Sequence, residues 1–332
     1  MTKGRLTDRW LTKLQTSAAE DFEKLAMEAF HFQANHNPLY RSYLGLLQKK
    51  TATIQQVAEI PFLPISFFKN HTIKTGEWTA SAVFSSSTTT GQIPSLHHLK
   101  SPAGYRAISQ LGFEHFYGDI SEFCTLALLP SYLERSGSSL VYMVDHFIQQ
   151  SKHPQSGFFL NELDALVEKL AYCQQNGIPT LLIGVSFALL DLAERYPMPL
   201  PDIIIMETGG MKGRREEMTR DELHDILQEA FQVAAIHSEY GMTELFSQAY
   251  SKGKGLFYPS PTMRVLGRDI TDPLSLQNRG QTAAINIIDL ANIDTISFIA
   301  TDDLGQVYPD HSFRILGRLD DSDIRGCNLM VL

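Results

Sequence analysis

Apolar and polar positions alternate with a helical period at the start of the chain, and this period ends before residue 57. Apolar residues recur at near-helical spacing over residues 6–48, which predicts two amphipathic helices with a break at Asn37-Pro38. Residues 57–68 are predicted to be extended and irregular, because they contain two prolines at a spacing that a helix interior does not accept. The apolar pair Val83-Phe84 then predicts the end of a strand.

The middle of the chain predicts helices that alternate with buried strands. Strands are predicted over residues 123–129, 180–183, 202–206 and 233–237. Helices are predicted over residues 102–116 and 160–175, and a third helix follows the strand over 180–183 and extends to Arg195. A fourth helix begins at Thr219, with Glu222 as the capping-box partner of that residue. From Gly280 onward the pattern predicts short strands over 282–289, 295–300 and 313–316. This alternation predicts an α/β architecture with a largely parallel sheet.

The same pattern predicts four consecutive segments. These are a helical N-terminal segment packed on the core (residues 1–75), an α/β core (76–279), a β-rich subdomain (280–316) and a hinge-like tail (317–332).

Composition narrows the class of protein. The 332 residues carry a net charge of -9, which disfavours a nucleic-acid or anionic-membrane surface. Three distant cysteines indicate neither a disulfide framework nor a zinc site. The longest apolar stretch, residues 181–190, is shorter than the roughly 20 residues that a membrane span needs, and the N-terminus lacks the apolar core of a signal peptide. We therefore expect a soluble, cytoplasmic protein.

Six consecutive hydroxyl residues, Ser85 to Thr90, precede Gly91. Hydroxyls and backbone N–H groups in such a loop are able to surround a phosphate with several donors. Taken alone, the segment is more typical of an exposed serine/threonine turn. The interpretation as a phosphate loop therefore depends on motifs later in the chain.

The segment Tyr240-Gly241-Met242-Thr243-Glu244 comes directly after a predicted strand, at the sheet edge where α/β proteins bind ligands. A tyrosine ring is able to flank a planar base, and Gly241 permits close approach of the backbone. Thr243 offers a hydroxyl to a phosphate, and Glu244 offers a carboxylate to Mg²⁺. The alternative is a loop with a surface glutamate.

Two later residues extend the pattern. Asp303, in a predicted turn, is able to accept hydrogen bonds from both hydroxyls of a ribose, and Arg318 is able to reach a ribose or a phosphate. Each alone is compatible with a charged turn. All four features in this order favour one nucleotide site.

These motifs resemble those of the adenylate-forming superfamily of acyl-CoA synthetases, peptide-synthetase adenylation domains and luciferases. Within it the chain is most similar to the acyl-protein synthetase (LuxE-like) family of bacterial bioluminescence, with phenylacetate-CoA ligases as nearer cousins than the rest. The stretches that carry this narrower resemblance are residues 60–69, 91–95, 207–213 and 325–329. The likeness extends from about residue 55 to the end.

The resemblance implies ATP and Mg²⁺ as cofactors and a carboxylic, in particular fatty, acid as substrate. Glu244 would hold Mg²⁺, and Thr243 and Glu244 would act with Cys327, the thiol that accepts the acyl group before it passes to an acyl reductase or a carrier thiol. The ATP-binding residues that it implies are Ser86, Ser87, Thr88, Thr89, Thr90, Gly91, Gly209, Gly210, Tyr240, Gly241, Asp303 and Arg318. Residues 76–279 would then form the ATP-binding core.

The chain departs from the superfamily pattern in three places. Thr88 stands where glycine is usual, and Ser95 stands where lysine is usual. The sequence ends at Leu332, before the mobile domain that bears a catalytic lysine in most members, and the acyl-protein synthetases are similarly short. Cys124 and Cys173 are predicted to pack in the core.

Three alternatives remain from the residues. The first is an acyl- or aryl-CoA ligase. The second is a non-catalytic nucleotide-binding module. The third is a serine hydrolase or acyltransferase, in which Ser186, in a strand-to-helix turn, is the nucleophile and His237 is the base.

Overall fold

The chain folds into alternating helices and strands, and the structure, a computed structural model, describes residues 4–17, 19–87, 93–130, 137–209, 218–277 and 279–319. The α-helices are α1 (Gly4–Thr16), α2 (Phe22–His36), α3 (Pro38–Leu46), α4 (Phe67–Asn70), α5 (Pro102–Tyr117), α6 (Ser139–Gln150), α7 (Leu163–Gln175), α8 (Ser186–Arg195) and α9 (Arg220–Phe231). Short 3-10 helices lie at Ala19–Asp21, Thr51–Thr53, Val57–Glu59 and Ile120–Glu122.

The strands are mostly short and are concentrated in the middle and the last third of the chain. They are β1 (Leu63–Pro64), β2 (Ala82–Ser85), β3 (Leu96–Leu99), β4 (Cys124–Leu128), β5 (Gly157–Phe158), β6 (Thr180–Val185), β7 (Ile203–Thr208), β8 (His237–Tyr240), β9 (Ala249–Ser251), β10 (Tyr258–Pro259), β11 (Met263–Arg268), β12 (Thr282–Asp289), β13 (Phe298–Val307) and β14 (Phe313–Arg318).

The N-terminal region contains three α-helices where two were predicted. The predicted break at Asn37-Pro38 is confirmed: the Asn37 side chain accepts a hydrogen bond from the N–H of Tyr40 at 3.0 Å, and Pro38 opens α3. A further break separates α1 from α2, because the chain makes a 3-10 turn at Ala19–Asp21 before α2 begins.

The chain divides into two compact units. The first comprises residues 1–108, 243–247 and 258–332. Its main sheet is antiparallel in the order β13, β12, β11, and the other edge of β13 pairs with β1 in parallel and with β14 antiparallel. Strands β2 and β3 form a separate antiparallel hairpin. Strand β12 confirms the predicted bounds, whereas β13 runs through residues 301–303, which were predicted to form a turn.

The second unit comprises residues 109–242 and 248–257. Strands β5, β4, β6, β7 and β8 pair in parallel in that order, and β9 pairs with β8 antiparallel. Every residue of β4 and β6 is buried, as expected for apolar strands covered on both faces. The largely parallel sheet that was predicted is confirmed.

Strand β8 occupies a later position than predicted. The apolar residues 233–236 lie in the connection after α9, and the strand itself has the polar sequence His-Ser-Glu-Tyr. Tyr240 is consequently the last residue of the strand, and Gly241 is the first residue beyond the sheet edge. In the described part of the chain, no helix is long and apolar enough to cross a membrane.

Candidate functional site

The hydroxyl segment is closed at its base by two serines. The N–H of Ser86 donates to the carbonyl of Ser95 at 3.1 Å, and the N–H of Ser95 donates to Oγ of Ser86 at 2.9 Å. Ser86 is half-buried and Ser87 is exposed. This base fixes where the segment leaves β2 and where it rejoins β3. Outside the described residues lie four predicted site residues, Thr88, Thr89, Thr90 and Gly91.

Ser95 links this base to Glu244. Both residues are buried, and the Ser95 hydroxyl lies beside the Glu244 carboxylate. Burial raises the pKa of Glu244, while the nearby Ser95 hydroxyl and the charges of Arg318 and Lys69 favour its ionised form. The serine that replaces the usual lysine is therefore a partner of the carboxylate predicted to hold Mg²⁺.

Residues 243–247 form neither helix nor strand, and buried side chains hold their backbone. His97 Nδ1 contacts the Thr243 carbonyl at 2.8 Å, and Asn292 Nδ2 donates to the Glu244 carbonyl at 2.7 Å. The Asp289 carboxylate accepts from the N–H groups of residues 246 and 247, at 2.7 and 3.0 Å. Sequence reasoning missed His97, Asp289 and Asn292, because none of them belongs to a motif.

Asp303 and Arg318 face each other across two strands. They are register partners on β13 and β14, and Arg318 Nε donates to Asp303 Oδ1 at 3.3 Å. Asp303 is buried, whereas 72% of the Arg318 side chain is exposed. The structure therefore places in paired strands two residues that were predicted to lie in a turn and a hinge. It brings together the aspartate and the arginine that were predicted to contact a ribose.

The second unit holds two glutamates at the carboxyl edge of its sheet. Glu207 on β7 accepts from Arg220 Nε at 3.0 Å, and Nε2 of His224 lies 3.6 Å from the same oxygen. Burial opposes ionisation of Glu207, yet the neighbouring His224 and Ser238 side chains and the Arg220 charge hold its pKa below the ordinary value. Glu207 is therefore a paired, ionised carboxylate.

Glu239 on β8 behaves differently. Its Oε2 accepts from the Thr208 hydroxyl at 2.6 Å, and burial, with a further contribution from Glu207, raises its pKa to about 7. A Cβ added at Gly241 would collide with Oε1 of Glu239. The glycine of the motif therefore leaves room for the side chain of a residue two positions before it.

Two other predicted residues lie in the second unit. Tyr240 is 8% exposed and packs against Phe257, with ring centroids 5.8 Å apart. Gly209 is exposed at the end of β7 with φ of 73°, in the left-handed region that glycine adopts at little cost. Gly210 lies outside the described residues. The chain passes from the second unit into the first between Met242 and Thr243.

The serine-nucleophile alternative gains no support from the geometry. Ser186 comes directly after a strand and begins α8 as predicted, but it is 3% exposed and its hydroxyl donates to the Gly209 carbonyl at 3.3 Å. Its backbone φ is not in the positive region that a strained nucleophile elbow would show. Nδ1 of His237, the proposed base, contacts the Tyr117 hydroxyl at 3.0 Å.

The cysteines divide into two groups. Cys124 and Cys173 are fully buried, which confirms the prediction of core packing, and burial raises the pKa of Cys124 to about 12. Cys327, the predicted acyl acceptor, lies outside the described residues. Among the cysteines that the structure describes, neither is placed to act as a nucleophile.

No cluster of three or more histidine, cysteine, aspartate or glutamate side chains within the described ranges is arranged to hold a metal ion. Glu244 therefore offers a single carboxylate. Mg²⁺ is commonly bound in this way, by one or two carboxylates together with substrate phosphates and waters.

No protein-family model matches the chain, and no curated protein matches it. The similarity to known proteins lies in solved structures. One is ATP-bound MatB from Rhodopseudomonas palustris, with a TM-score of 0.54 and 16% identity over 72% of this chain. The chain spans 48% of that protein, about half of its length.

The 2-hydroxyisobutyryl-CoA ligase in complex with 2-HIB-AMP and CoA is similar over more of the chain. Its open conformation gives a TM-score of 0.67 and 15% identity, over 93% of this chain and 78% of the ligase. Its thioesterification state gives a TM-score of 0.66 and 14% identity, over 97% and 70%. The chain therefore has the mixed α/β fold of these structures, and the predicted fold class is confirmed.

Proposed function

We propose that the protein is an ATP-dependent enzyme that activates a carboxylic acid as an acyl-adenylate. The observation that carries the proposal is the position of Ser95, which closes the base of the hydroxyl segment and lies beside the buried Glu244 carboxylate. The proposed phosphate donors therefore begin next to a carboxylate suited to Mg²⁺. The shared fold supports the proposal, since the similar structures are described with ATP, 2-HIB-AMP and CoA.

In the proposed reaction, a carboxylate oxygen of the acid attacks the α-phosphorus of ATP. The bond from this phosphorus to the bridging oxygen breaks, and pyrophosphate leaves. Mg²⁺, held by Glu244 and the phosphates, would neutralise charge that accumulates on the phosphate oxygens. Thr243 and the hydroxyl segment would donate to those oxygens, so that the enzyme acts by positioning and charge stabilisation.

The remaining residues proposed to contact ATP come from the motif resemblance. Asp303 would accept from the ribose hydroxyls, and the exposed Arg318 would reach the ribose or a phosphate. The full proposed set is Ser86, Ser87, Thr88, Thr89, Thr90, Gly91, Gly209, Gly210, Tyr240, Gly241, Asp303 and Arg318.

In the second step we propose that the Cys327 thiolate attacks the acyl carbonyl of the adenylate. A thioester bond forms and AMP leaves, after which the acyl group passes to a partner such as an acyl reductase or a carrier thiol. The burial of Cys124 and Cys173 supports this choice, because both are enclosed in the core. A fatty acid is the proposed substrate.

A second candidate is an acyl- or aryl-CoA ligase, in which CoA takes the acyl group directly. The observation that favours it is the fold shared with a ligase whose structures contain CoA. The two candidates share the first step and differ in the thiol that accepts the acyl group.

ATP–pyrophosphate exchange, measured over a panel of carboxylic acids with and without CoA, tests the proposal. We expect acid-dependent exchange and, with a labelled acid, a hydroxylamine-labile label on the protein. Cys327→Ser should keep exchange and lose that label, whereas Cys173→Ala, the matched control at a buried cysteine, should keep both.

The other outcomes select other functions. A label that persists in Cys327→Ser would contradict the thioester role. Turnover that rises with CoA, without an acyl-protein, would select the CoA ligase. Nucleotide binding without exchange across the whole acid panel would contradict adenylation and favour a non-catalytic binding module.

A further inference from the structure

The Thr243-Glu244 pair is held by a closed set of buried side chains. His97 Nδ1 contacts the Thr243 carbonyl at 2.8 Å, and Asn292 Nδ2 donates to the Glu244 carbonyl at 2.7 Å. The Thr295 hydroxyl lies 3.2 Å from His97 Nε2 and 3.2 Å from Asn292 Oδ1. Two consecutive carbonyls are therefore joined through three side chains, each at most 2% exposed.

Hydrogen counting fixes the form of the histidine. A carbonyl only accepts, so Nδ1 of His97 must carry the hydrogen that reaches Thr243. Burial lowers the pKa of His97 to about 4, so near neutral pH the ring is neutral and Nε2 is an acceptor. The Thr295 hydroxyl has one hydrogen and two neighbouring acceptors, His97 Nε2 and Asn292 Oδ1, so it donates to one of them at a time. The hydrogen on His97 Nδ1 has a single acceptor among these groups, the Thr243 carbonyl.

The orientation of this donor is set by packing. The His97 ring meets the rings of Phe68 and Phe246 edge to face, with centroids 5.4 and 5.5 Å apart. These contacts restrict rotation of the imidazole, so Nδ1 stays directed at Thr243.

Strand geometry connects His97 to the hydroxyl segment. Residues two apart on a strand face the same side, and Ser95 and His97 are buried while Leu96 between them is exposed. Ser95 contacts the side chain of Glu244, and His97 contacts the backbone of the preceding residue. One short stretch of chain therefore holds both ends of the Thr243-Glu244 pair.

We propose that His97 is a positioning residue, which through Nδ1 fixes Thr243 and Glu244 relative to the base of the hydroxyl segment. The proposal rests on the proposed function, in which these two residues act in adenylation. The competing explanation is that His97 only fills the core. The two explanations make different predictions for a variant that keeps a planar ring at position 97 but lacks the N–H donor.

The test compares His97→Phe with His97→Asn. Phenylalanine keeps a planar ring but removes the donor, whereas the asparagine amide places an N–H near the position of Nδ1. We expect His97→Phe to lower the rate of pyrophosphate exchange about 10- to 100-fold and to raise the Mg²⁺ concentration needed for half-maximal rate, because small displacements of catalytic groups cost rates of this order. His97→Asn should stay within about 10-fold of the parent protein.

His98 provides the matched control. It is the next residue on the same strand and half-buried, and His98→Asn should leave exchange and its Mg²⁺ dependence unchanged. A folded His97→Phe variant with the parent rate and Mg²⁺ dependence would overturn the proposal. If His97→Phe does not fold, His97→Asn is compared with His97→Gln, whose amide mimics Nε2, and equal activity of these two would overturn it.

Amide hydrogen exchange separates this inference from the proposed function. Whether or not the protein catalyses pyrophosphate exchange, we expect the backbone N–H groups of residues 243–247 to exchange faster in His97→Phe than in His97→Asn. If the parent protein shows no pyrophosphate exchange but this difference is present, the function is wrong and the positioning role stands. Equal protection in the two variants would contradict the positioning role, whatever the activity.

Discussion

Glu207 and Glu239 show how partners, rather than burial alone, set the charge of a side chain. Both carboxyl groups are buried at adjacent strands of the parallel sheet. Glu207 has Arg220 and His224 as partners and stays ionised, whereas Glu239 accepts a hydrogen bond from the neutral Thr208 hydroxyl. The pair therefore binds at most one proton near neutral pH, and that proton belongs mainly to Glu239.

The substitution Glu239→Gln tests this assignment. The pKa of Glu239 is raised from 4.5 to about 7, so the unfolded chain loses its proton before the folded protein does. The neutral form stabilises the fold fully below pH 4.5, and this contribution declines as the pH rises to 7. Glutamine keeps an acceptor for Thr208 and has no charge. Relative to the parent, the variant should therefore gain about 3 kcal/mol of unfolding free energy, as an upper limit, from pH 4.5 to pH 7.5.

Chemical denaturation at several pH values measures that difference. Glu229→Gln, at an exposed position on the neighbouring helix α9, is the control for the loss of a carboxylate. A constant difference between the parent and Glu239→Gln would show that the pKa of Glu239 is the same in the folded and unfolded states, so that the folded protein does not hold the proton near neutral pH.

At this scale the sequence singles out candidate residues but not the contacts that they make. The motif singled out Gly241 and Glu244, and the departure at Ser95 was visible. That Gly241 leaves room for Glu239, and that Ser95 lies beside Glu244, depends on side-chain directions and on contacts between residues distant in sequence. His97 was not predicted at all, because a lone histidine in a short strand carries no motif.

At the scale of elements, the start of α9 is predictable from sequence because its signal is local. The Thr219 hydroxyl accepts from the N–H of Glu222 at 3.2 Å, and the Glu222 carboxylate accepts from the N–H of Thr219 at 2.8 Å, as the capping box predicted. The next residue, Arg220, forms the ion pair with Glu207. The cap therefore also positions the cation of the buried pair.

Thr219→Ala should lower the free energy of unfolding by about 1 kcal/mol, because it leaves an N–H group at the helix start without its side-chain acceptor. Thr219→Ser keeps the hydroxyl and is the matched control, with an expected change of about a few tenths of a kcal/mol. Denaturant unfolding compares the three proteins. Equal stability of the alanine and serine variants would mean that the hydroxyl does not stabilise α9.

Strand β8 shows where sequence patterns fail. Hydrophobicity predicted a strand over 233–237, but the strand that the sheet contains is the polar sequence of 237–240. Its polar residues are buried because hydrogen bonds satisfy them, as with Ser238 and Glu239. Patterns of apolar residues identify strands that are buried for packing, such as β4 and β6, and misplace a strand whose buried positions are polar. The same reason explains why residues 301–303 of β13 were predicted to form a turn.

At the scale of the whole molecule, the two compact units are interleaved along the chain. The chain crosses between them four times, after residues 108, 242, 247 and 257. The four consecutive segments predicted from the sequence stay a prediction. They are a different division of the chain from the two compact units, because neither unit is built from one continuous segment. A pattern along the chain cannot reveal that residues 243–247 belong with the termini, because the contacts that place them there come from β3 and from the end of β12.

Each unit contains a histidine that resists protonation, fully buried in the first unit and partly buried in the second. Burial lowers the pKa of His97, in the first unit, and of His237, in the second, from 6.5 to about 4. As the pH falls from 6.5 to 4, the unfolded chain binds protons that the folded protein does not, so the unfolding free energy decreases. For the fully buried His97 this loss is about 3 kcal/mol at most, and it is absent above pH 6.5. His97→Asn and His237→Asn should each flatten the decline between pH 6.5 and pH 4, and the exposed His115, changed to Asn, serves as the control.

A comparison of His97→Asn and His237→Asn with the variant that carries both substitutions tests whether the two units unfold together. Because four crossings tie them into one chain path, we expect a single denaturation transition, in which the two histidine effects on the pH dependence add within the error of independent sites. Denaturation followed by circular dichroism from pH 4 to pH 7 gives both quantities. Two separate transitions, with His97→Asn changing the pH dependence of only one and His237→Asn only the other, would contradict cooperative unfolding. Parallel curves for all variants would instead contradict the burial of the histidines as the source of acid sensitivity.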